Sequence, residues 1–227
     1  MRKKIRVVFI HGWGFNQFFW TPLVKELSKR ILFIQMNFVN LGFFGSKNLE
    51  VLKYNQKDVY SIYVVHSYGY NWFVKNKIKT DLMINFCGSQ NLVENSQTLN
   101  KKIIGLMIEK MKKKPETVLL KFYRNCGLKN YRIEENLNKE FLIGALQNYI
   151  VDIPKEVELV GNLAGKVFSI FSKKDKILNI KNFQFLENYL KSDVKLLDNE
   201  NHAFPFSNPS LAADIIETCI LKEFNEN

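Results

Sequence analysis

The chain has 227 residues, of which 46% are hydrophobic and 14% aromatic; this suffices for one domain with a substantial core and excludes an intrinsically disordered chain. No apolar run approaches the roughly 20 residues that a membrane-spanning helix needs. The formal net charge of +11 leaves three classes of partner open, namely nucleic acid, a membrane surface and an acidic protein.

The amino terminus and the cysteines bear on location. The basic residues 2–4 precede an apolar run of only residues 7–10, too short for the core of a secretion signal. Cys87, Cys126 and Cys219 lie far apart and show neither a CxxC pair nor metal-ligand spacing, as is typical of reduced cytosolic thiols. We therefore expect a soluble, cytoplasmic monomer without a metal.

The first part of the chain alternates between β-rich and helix-like segments. The predicted strands are residues 6–10, 31–36, 61–65 and 82–86. A glycine-rich turn at 11–14 and a helix-like stretch at 20–30 follow the first strand, and a helix-like segment starting at Tyr68 follows the third. Strands that alternate with helices predict a parallel sheet.

A helical block interrupts this alternation before the strands resume. The block has helix-like patterns at 99–113, 116–123 and 133–149. The later elements are strands at 167–171 and 194–197 and helices at 180–190 and 209–222. The sequence thus predicts one core formed by residues 1–90 and 160–227, with residues 91–159 inserted as a helical cap.

Ser67 ends the third predicted strand and directly precedes a helix-like segment. The sequence Val65-His66-Ser67-Tyr68-Gly69 partly matches the Gly-x-Ser-x-Gly turn, because valine replaces the first glycine. A strand that turns sharply into a helix exposes the turn side chain at the carboxyl edge of the sheet, where helix amides can bind an oxyanion. Ser67 is a candidate nucleophile, although an ordinary turn can show the same pattern.

A serine nucleophile needs an imidazole base and a carboxylate that orients the base. Of the three histidines, His11 belongs to the first glycine turn, and the side chain of His66 is expected to point away from its neighbour. His202 follows the last predicted strand and Asp175 follows the strand before it, at the same sheet edge as Ser67. His202 is the predicted base and Asp175 the predicted orienting acid; singly, each could also be an ordinary loop residue.

The order Ser67, Asp175, His202 along the chain is that of the α/β-hydrolase triad. In that fold two backbone amides bind the oxyanion, one just after the nucleophile and one in the loop after the first sheet strand. Here these are the amides of Tyr68 and Trp13. The predicted fold class is α/β, an α/β-hydrolase fold with a trimmed, mostly parallel sheet flanked by helices.

Three segments carry a more specific resemblance. His11-Gly12-Trp13-Gly14-Phe15-Asn16 resembles the oxyanion loop of the pimeloyl-acyl carrier protein methyl ester esterases of biotin synthesis. Residues 40–46 are similar to a pocket loop of the superfamily, and residues 202–209 to the family's segment before the last helix. The resemblance implies a serine carboxylesterase that hydrolyses the methyl ester of pimeloyl-acyl carrier protein without a cofactor. A further segment, residues 117–127, resembles the family's cap helix with a substrate-facing phenylalanine, here Phe122. The predicted substrate-binding residues around the site are Trp13, Phe43, Phe44, Tyr68 and Phe122, and ordinary core is the alternative for these rings.

Basic residues concentrate in the predicted cap. Residues 99–132 contain ten lysines and arginines against only two acidic residues, Glu109 and Glu116. Such a surface would attract the acidic acyl carrier protein, and a solvated helix face is the alternative. Nucleic-acid binding is not expected, because no aromatic groove accompanies the charge. The predicted carrier-binding residues are Lys110, Lys112, Lys113, Lys114, Lys121 and Arg124.

Two other functions stay open on the sequence. A general short-chain carboxylesterase or thioesterase would keep the triad and not need the carrier. A non-catalytic binding protein of the same fold is compatible with Val65 in place of the first glycine of the turn.

Overall fold

The computed structural model describes residues 4–30, 35–50, 59–89, 97–150, 162–178 and 193–225. Its strands are β1 (Lys4–Ile10), β2 (Gln35–Val39), β3 (Val59–His66), β4 (Thr80–Phe86), β5 (Ala164–Ser172) and β6 (Asp193–Leu197). They form one six-stranded sheet in the order β2-β1-β3-β4-β5-β6, and every neighbouring pair is parallel. This confirms the predicted parallel sheet. Within the described ranges, no helix has the length and apolar character that a membrane crossing requires.

The inner strands are buried along most of their length. Residues 6–10 of β1 and 62–66 of β3 are all buried, without the alternation of a strand that faces water on one side. Continuous burial is expected of parallel strands that helices cover on both faces. The continuous apolar sequences of β1 and β3 therefore agree with their positions inside the sheet, away from its two edges.

The edge strand β2 differs from its predicted position. It runs Gln35–Val39 rather than 31–36, and residues 31–34 lie outside the described residues. Its position follows from pairing with β1, in register from Arg6 opposite Gln35 to Ile10 opposite Val39. Asn37, a polar residue in the middle of β2, interrupts the apolar run by which a buried strand is recognised in the sequence. Its side chain accepts a hydrogen bond from Arg6 Nε at 3.0 Å.

Helices flank the sheet and extend the chain between β4 and β5. The helices are α1 (Thr21–Arg30), α2 (Tyr68–Lys75), α3 (Gln97–Lys113), α4 (Pro115–Asn125), α5 (Lys139–Ile150), α6 (Phe204–Ser207) and α7 (Pro209–Asn225). Helix α1 packs against α7, and Arg30 links them by hydrogen bonds to Asp214 and Ser210. Helix α3 packs against both α4 and α5.

Helix α5 begins later than the sequence predicts. The helical pattern starts at 133, whereas the helix starts at Lys139. Asn138 precedes it and caps it, because its side-chain oxygen accepts from the Phe141 amide at 3.1 Å. Leu137 pairs with Phe44, in the loop after β2, through an antiparallel bridge. Its backbone is therefore extended, and the helix begins only after it. The predicted helix at 180–190 lies outside the described residues.

The first turn of α2 packs tightly against the carboxyl end of β1. A Cβ atom at Gly69 would lie 2.5 Å from the carbonyl oxygen of Ile10 and 2.9 Å from that of His11. Both neighbours are backbone atoms, which cannot rotate away as a side chain can. Gly69 thus sets the distance between α2 and β1, and with it the position of Ser67 two residues earlier.

Replacing this glycine should loosen the turn. We expect Gly69→Ala to lower the free energy of unfolding by about 1–3 kcal/mol, because the new methyl group overlaps the β1 backbone. Gly105→Ala in α3 is the matched control, since a Cβ there meets no atom within 4 Å, and it should raise stability by about 1 kcal/mol. Urea denaturation of the two variants checks this; equal effects would contradict the packing argument.

Candidate active site

Ser67 lies in the turn between β3 and α2 in an unfavourable backbone conformation. Its φ of 52° and ψ of −119° fall outside the regions that residues with a Cβ prefer. Hydrogen bonds hold the turn on both sides: the Ser67 amide donates to the Phe86 carbonyl in β4 at 2.9 Å, and the Ser67 carbonyl accepts from the Tyr70 amide at 3.0 Å. The residue is only 8% exposed, so the hydroxyl is presented to an enclosed space.

Ser67, His202 and Asp175 form one hydrogen-bonded chain. The Nε2 atom of His202 is 2.9 Å from Ser67 Oγ, and its Nδ1 atom is 2.6 Å from Asp175 Oδ2. An ionised carboxylate only accepts hydrogen bonds, so Nδ1 carries the imidazole proton and Nε2 accepts from the Ser67 hydroxyl. The side chains of His202 and Asp175 are 0% exposed, which separates the chain from bulk water.

The carboxylate of Asp175 is fixed by its own loop. Its Oδ1 atom accepts from the amides of Ile177 at 2.7 Å and Leu178 at 2.9 Å, while Oδ2 faces His202. Hydrogen bonds from backbone amides stabilise a buried carboxylate and stop it from rotating. Asp175 follows β5 and His202 follows β6, so both side chains come from the carboxyl edge of the sheet.

The loop after β1 lies against Ser67. A Cβ atom at Gly12 would be 2.8 Å from His66 Nδ1 and 3.0 Å from Ser67 Cβ, so a larger residue would have to displace one of these neighbours. His11 Nδ1 donates to the Gly12 carbonyl at 2.9 Å, and its Nε2 accepts from the Leu41 amide at 3.0 Å. The C=O of Gly12 and the N–H of Trp13 point in opposite directions in one planar peptide. His11 therefore also sets the direction of the Trp13 amide.

Two of the helices between β4 and β5 hold this loop from above. The Trp13 indole donates to the Leu142 carbonyl in α5 at 2.9 Å, and the Tyr123 hydroxyl in α4 donates to the Gly14 carbonyl at 2.6 Å. The loop next to Ser67 is thereby fastened to α4 and α5.

Helix α4 also contacts the loop that carries His202. The Ala203 amide donates to the Cys126 carbonyl at the end of α4, at 3.1 Å. Gly127, with a φ of 89°, follows the helix, and a Cβ there would lie 2.4 Å from the Asn201 side chain. One helix thus touches the loops on two sides of the candidate site.

Aromatic side chains surround the candidate site. The rings of Trp13 and Phe122 meet edge to face with centroids 4.8 Å apart, and those of Phe43 and Tyr68 lie 5.8 Å apart. All four are at most 8% exposed. Phe44 is buried too, but its backbone pairs with the segment before α5. The structure brings four of the five predicted substrate-binding residues into two contacting pairs, and their role stays a prediction.

Solved structures of the same architecture share this arrangement of elements. MenH from S. aureus superposes with a TM-score of 0.76 at 12% identity, over 98% of this chain and 96% of MenH. A carboxylesterase of the thaumarchaeon Nitrososphaera gargenis gives 0.75 at 13% identity, over 100% of this chain and 93% of that one. Bromoperoxidase from Bacillus anthracis gives 0.73 at 13%, over 95% and 91%.

The chain has the α/β-hydrolase fold. The predicted fold class is therefore confirmed. No protein-family model matches the sequence, and a search of curated proteins also gives no match. At these low identities, the shared property is the fold itself.

His66 lies next to the candidate site, although the sequence gives it no role. Its Nε2 donates to the carbonyl of His202 at 3.0 Å, and its ring stacks on Phe19 with centroids 4.6 Å apart. Burial lowers the pKa of His66 well below its usual range, so the ring is neutral. His66 supports the backbone of the proposed base. The sequence only places it at a strand end, because the contact depends on a loop 136 residues away.

Cys87 is a second residue that the sequence leaves isolated. Its Sγ atom, a carboxylate oxygen of Asp175 and a ring nitrogen of His202 all lie within 4.8 Å of one another, a grouping that could hold a metal ion. Burial, and then the nearby Asp175 carboxylate, raise the pKa of Cys87 well above its usual range, so the group is a neutral thiol. A metal would need the thiolate and would break the bond between His202 and Asp175.

His11 should give stability a specific dependence on pH. Burial lowers the pKa of His11 from 6.5 to about 4. The unfolded chain takes up a proton here below pH 6.5 while the folded chain does not, so the contribution of neutral His11 is complete above that pH and is lost as the pH falls. Between pH 7.5 and pH 5 the loss amounts to about 2 kcal/mol.

Asparagine at position 11 provides the test. His11→Asn keeps an N–H donor for the Gly12 carbonyl but does not titrate. We expect the difference in unfolding free energy between pH 7.5 and pH 5, measured by urea denaturation, to be smaller in the variant by about 2 kcal/mol. The same pH dependence in both proteins would show that His11 is not neutral in the folded state.

Proposed function

We propose that this protein is a serine carboxylesterase in which Ser67 is the nucleophile, His202 the base and Asp175 the residue that orients the base. The hydrogen-bonded chain from Ser67 Oγ through His202 to Asp175 carries the proposal. A turn residue with a purely structural role would not need a strained backbone and a histidine held in one tautomer by a buried carboxylate. Several structures of the same fold are named esterases or carboxylesterases, which supports an ester as substrate.

The geometry supports a two-stage hydrolysis. His202 Nε2 takes the Ser67 proton as Oγ attacks the ester carbonyl carbon, and the carbonyl oxygen becomes negatively charged. The amides of Trp13 and Tyr68 bind that oxygen. The proton then passes to the leaving alcohol as its C–O bond breaks, and water repeats the sequence on the acyl-serine to release the acid. Asp175 stays ionised and stabilises the imidazolium that forms in each stage.

The surroundings of Ser67 favour a substrate with an apolar acyl part. The rings of Trp13, Phe43, Tyr68 and Phe122 are buried around the site. Apolar walls with few polar groups orient a hydrocarbon chain and leave the ester carbonyl as the group that can hydrogen-bond.

Removing the nucleophile tests the proposed activity. Ser67→Ala should lower kcat for p-nitrophenyl esters by at least about 10⁴-fold, and Asp175→Asn should do so by about 10⁴-fold because the imidazole loses its fixed tautomer. Ser210→Ala, a serine on α7 whose hydroxyl accepts from Arg30, is the matched control and should keep the activity. A fluorophosphonate probe should label the folded protein at Ser67. Absence of labelling would leave the fold as a non-catalytic binding protein.

In the same proposal, the substrate is the methyl ester of pimeloyl-acyl carrier protein in biotin synthesis, in the cytoplasm. Residues 91–159 then form the cap and receive the carrier. The candidate contact residues are all exposed, and they are Lys110, Lys112, Lys113, Lys114, Lys121 and Arg124. Exposed Ile103, Leu106 and Leu120 lie on the same two helices, α3 and α4. A surface that combines positive charge with apolar groups suits an acidic protein partner.

Charge reversal separates carrier-dependent from general hydrolysis. The triple variant Lys112→Glu, Lys113→Glu and Lys114→Glu should lower kcat/KM for the carrier-linked methyl ester by about 10-fold or more at low salt, because electrostatic steering is lost. Turnover of the free methyl ester should not change.

A second triple variant controls for net charge. Lys4→Glu, Lys25→Glu and Lys195→Glu make the same change on β1, α1 and β6, where the lysines are exposed, and should leave carrier-linked turnover within about 2-fold at physiological salt. Equal losses in the two triple variants would count against a carrier site on the cap and favour a general short-chain esterase or thioesterase.

A further inference from the structure

His66 and Ser67, consecutive residues at the end of β3, both contact His202. The Oγ atom of Ser67 is 2.9 Å from the imidazole Nε2 of His202, and the Nε2 atom of His66 is 3.0 Å from the main-chain carbonyl oxygen of His202. One turn thus contacts the candidate base at its side chain and at its backbone. A single peptide bond links the two contacts.

The hydrogen bond to the His202 carbonyl has one possible direction. A carbonyl oxygen only accepts, so Nε2 of His66 carries the proton. Burial, and then the neighbouring His202, lower the pKa of His66 well below its usual range and keep the ring neutral. Nδ1 of His66 therefore has no proton. The two rings are opposite tautomers, because His202 carries its proton on Nδ1, next to Asp175.

The other ring nitrogen of His66 indicates that the ring is present for more than packing. Nδ1 is buried and has no hydrogen-bond partner among the described residues. Gly12 closes this side of the ring, since a Cβ there would lie 2.8 Å from Nδ1. A buried acceptor without a partner destabilises the folded chain. A phenylalanine ring could stack on Phe19 without this penalty, so the N–H at Nε2 is the property that requires histidine.

The His66 ring is immobilised by the aromatic core. It stacks on Phe19 with centroids 4.6 Å apart and an angle of 20° between the planes. The rings of Phe15 and Trp20 lie around it at 5.9 Å and 6.3 Å. His66 is fully buried. Its N–H therefore has a fixed direction before any substrate binds.

The peptide group that follows His202 is held on both sides. Its carbonyl oxygen accepts from His66, and its N–H, which belongs to Ala203, donates to the Cys126 carbonyl at 3.1 Å. The C=O and N–H of one planar peptide point in opposite directions, so the two bonds together fix the orientation of the peptide plane. The imidazole is attached next to this plane, and its place beside Ser67 depends on it.

We propose that His66 is a positioning residue, whose Nε2–H holds the His202 carbonyl so that the imidazole stays within hydrogen-bonding distance of Ser67 Oγ in both stages of ester hydrolysis. This rests on the proposed function. His66 transfers no proton and does not bind the substrate. Its effect on the rate is geometric, since a displacement of about 1 Å can slow a reaction by about 10²-fold.

Two substitutions separate the N–H donor from the aromatic ring. His66→Phe keeps a ring that stacks on Phe19 and removes the donor, whereas His66→Gln removes the ring and keeps an N–H near the position of Nε2. We expect kcat for p-nitrophenyl esters to fall by about 10–100-fold in His66→Phe, with KM changed by less than about 3-fold. His66→Gln should keep kcat within about 5-fold of the wild type.

Stability should rank the two variants in the opposite order. The urea midpoint of unfolding should be lower for His66→Gln than for His66→Phe, because only the glutamine variant loses the stacked ring. A role in packing alone would make the glutamine variant the slower enzyme. Tyr60→Phe is the matched control: it removes a hydroxyl that donates to Glu223 at 2.6 Å near the other end of β3, and kcat should not change.

The outcomes separate this inference from the proposed function. If the wild-type protein neither turns over esters nor reacts with the fluorophosphonate probe, the esterase proposal fails and the role of His66 falls with it. If the wild type is active and His66→Phe retains its kcat, the inference alone is overturned. A folded His66→Gln that is as slow as His66→Phe would overturn it too, since a donor would then be present without effect.

The tautomer of His66 can be measured without any variant. The chain has three histidines, and the hydrogen bonds of His11 and His202 place their protons on Nδ1. Long-range ¹H–¹⁵N spectra of histidine-labelled protein should therefore show two Nδ1–H rings and one Nε2–H ring, that of His66. A proton on Nδ1 of His66 would overturn the inference even if His66→Gln does not fold, because Nε2 could not then donate to the carbonyl.

Discussion

The packing of α2 against β1 through Gly69 is the constraint on which the rest of the site depends. With no side chain at this position, the helix starts within van der Waals reach of the carbonyls of Ile10 and His11. Ser67, two residues before Gly69 in the same turn, has a φ of 52°. Gly12 lies against Ser67 Cβ in the same region, and the His66 ring is hydrogen-bonded to the backbone of the loop that carries His202. Three loops thus meet at one closely packed turn that has glycine at positions 12 and 69.

Most of the titratable side chains buried around Ser67 are neutral, because burial shifts their pKa values toward the uncharged form. Burial lowers the pKa values of His11 and His66, and raises those of Cys87 and Tyr149. Each neutral group can therefore serve as a hydrogen-bond donor or acceptor of fixed direction. The carboxylate of Asp175 lies among them and is hydrogen-bonded by two backbone amides and one imidazole. A charge that develops on His202 would meet one well-placed counter-charge.

The sequence predicted the fold from the alternation of strands and helices, and the parallel sheet confirms it. Where it was wrong, tertiary pairing outweighed the local pattern: β2 follows the register of β1, and Asn138 starts α5 after Leu137 has paired with Phe44.

The candidate triad could be suggested from order along the chain, because the carboxyl ends of parallel strands meet at one edge. The contacts of His66 and Cys87 could not be found in this way. They join residues more than 80 positions apart and have no spacing rule.

Helix α4 gives the molecule a property that concerns its evolution. Tyr123 bonds to Gly14 on one side of the site, and the Cys126 carbonyl bonds to Ala203 on the other. Many folds acquire new specificities by exchanging an inserted segment as a module, which requires that the host keep its shape without it. In this protein an exchange of α4 would remove the hydrogen bonds that Tyr123 and the Cys126 carbonyl make to the two loops. New substrate preferences should therefore arise by point substitutions on a retained helical segment, and a chimaera would need compensating changes at residues 11–14 and 198–203.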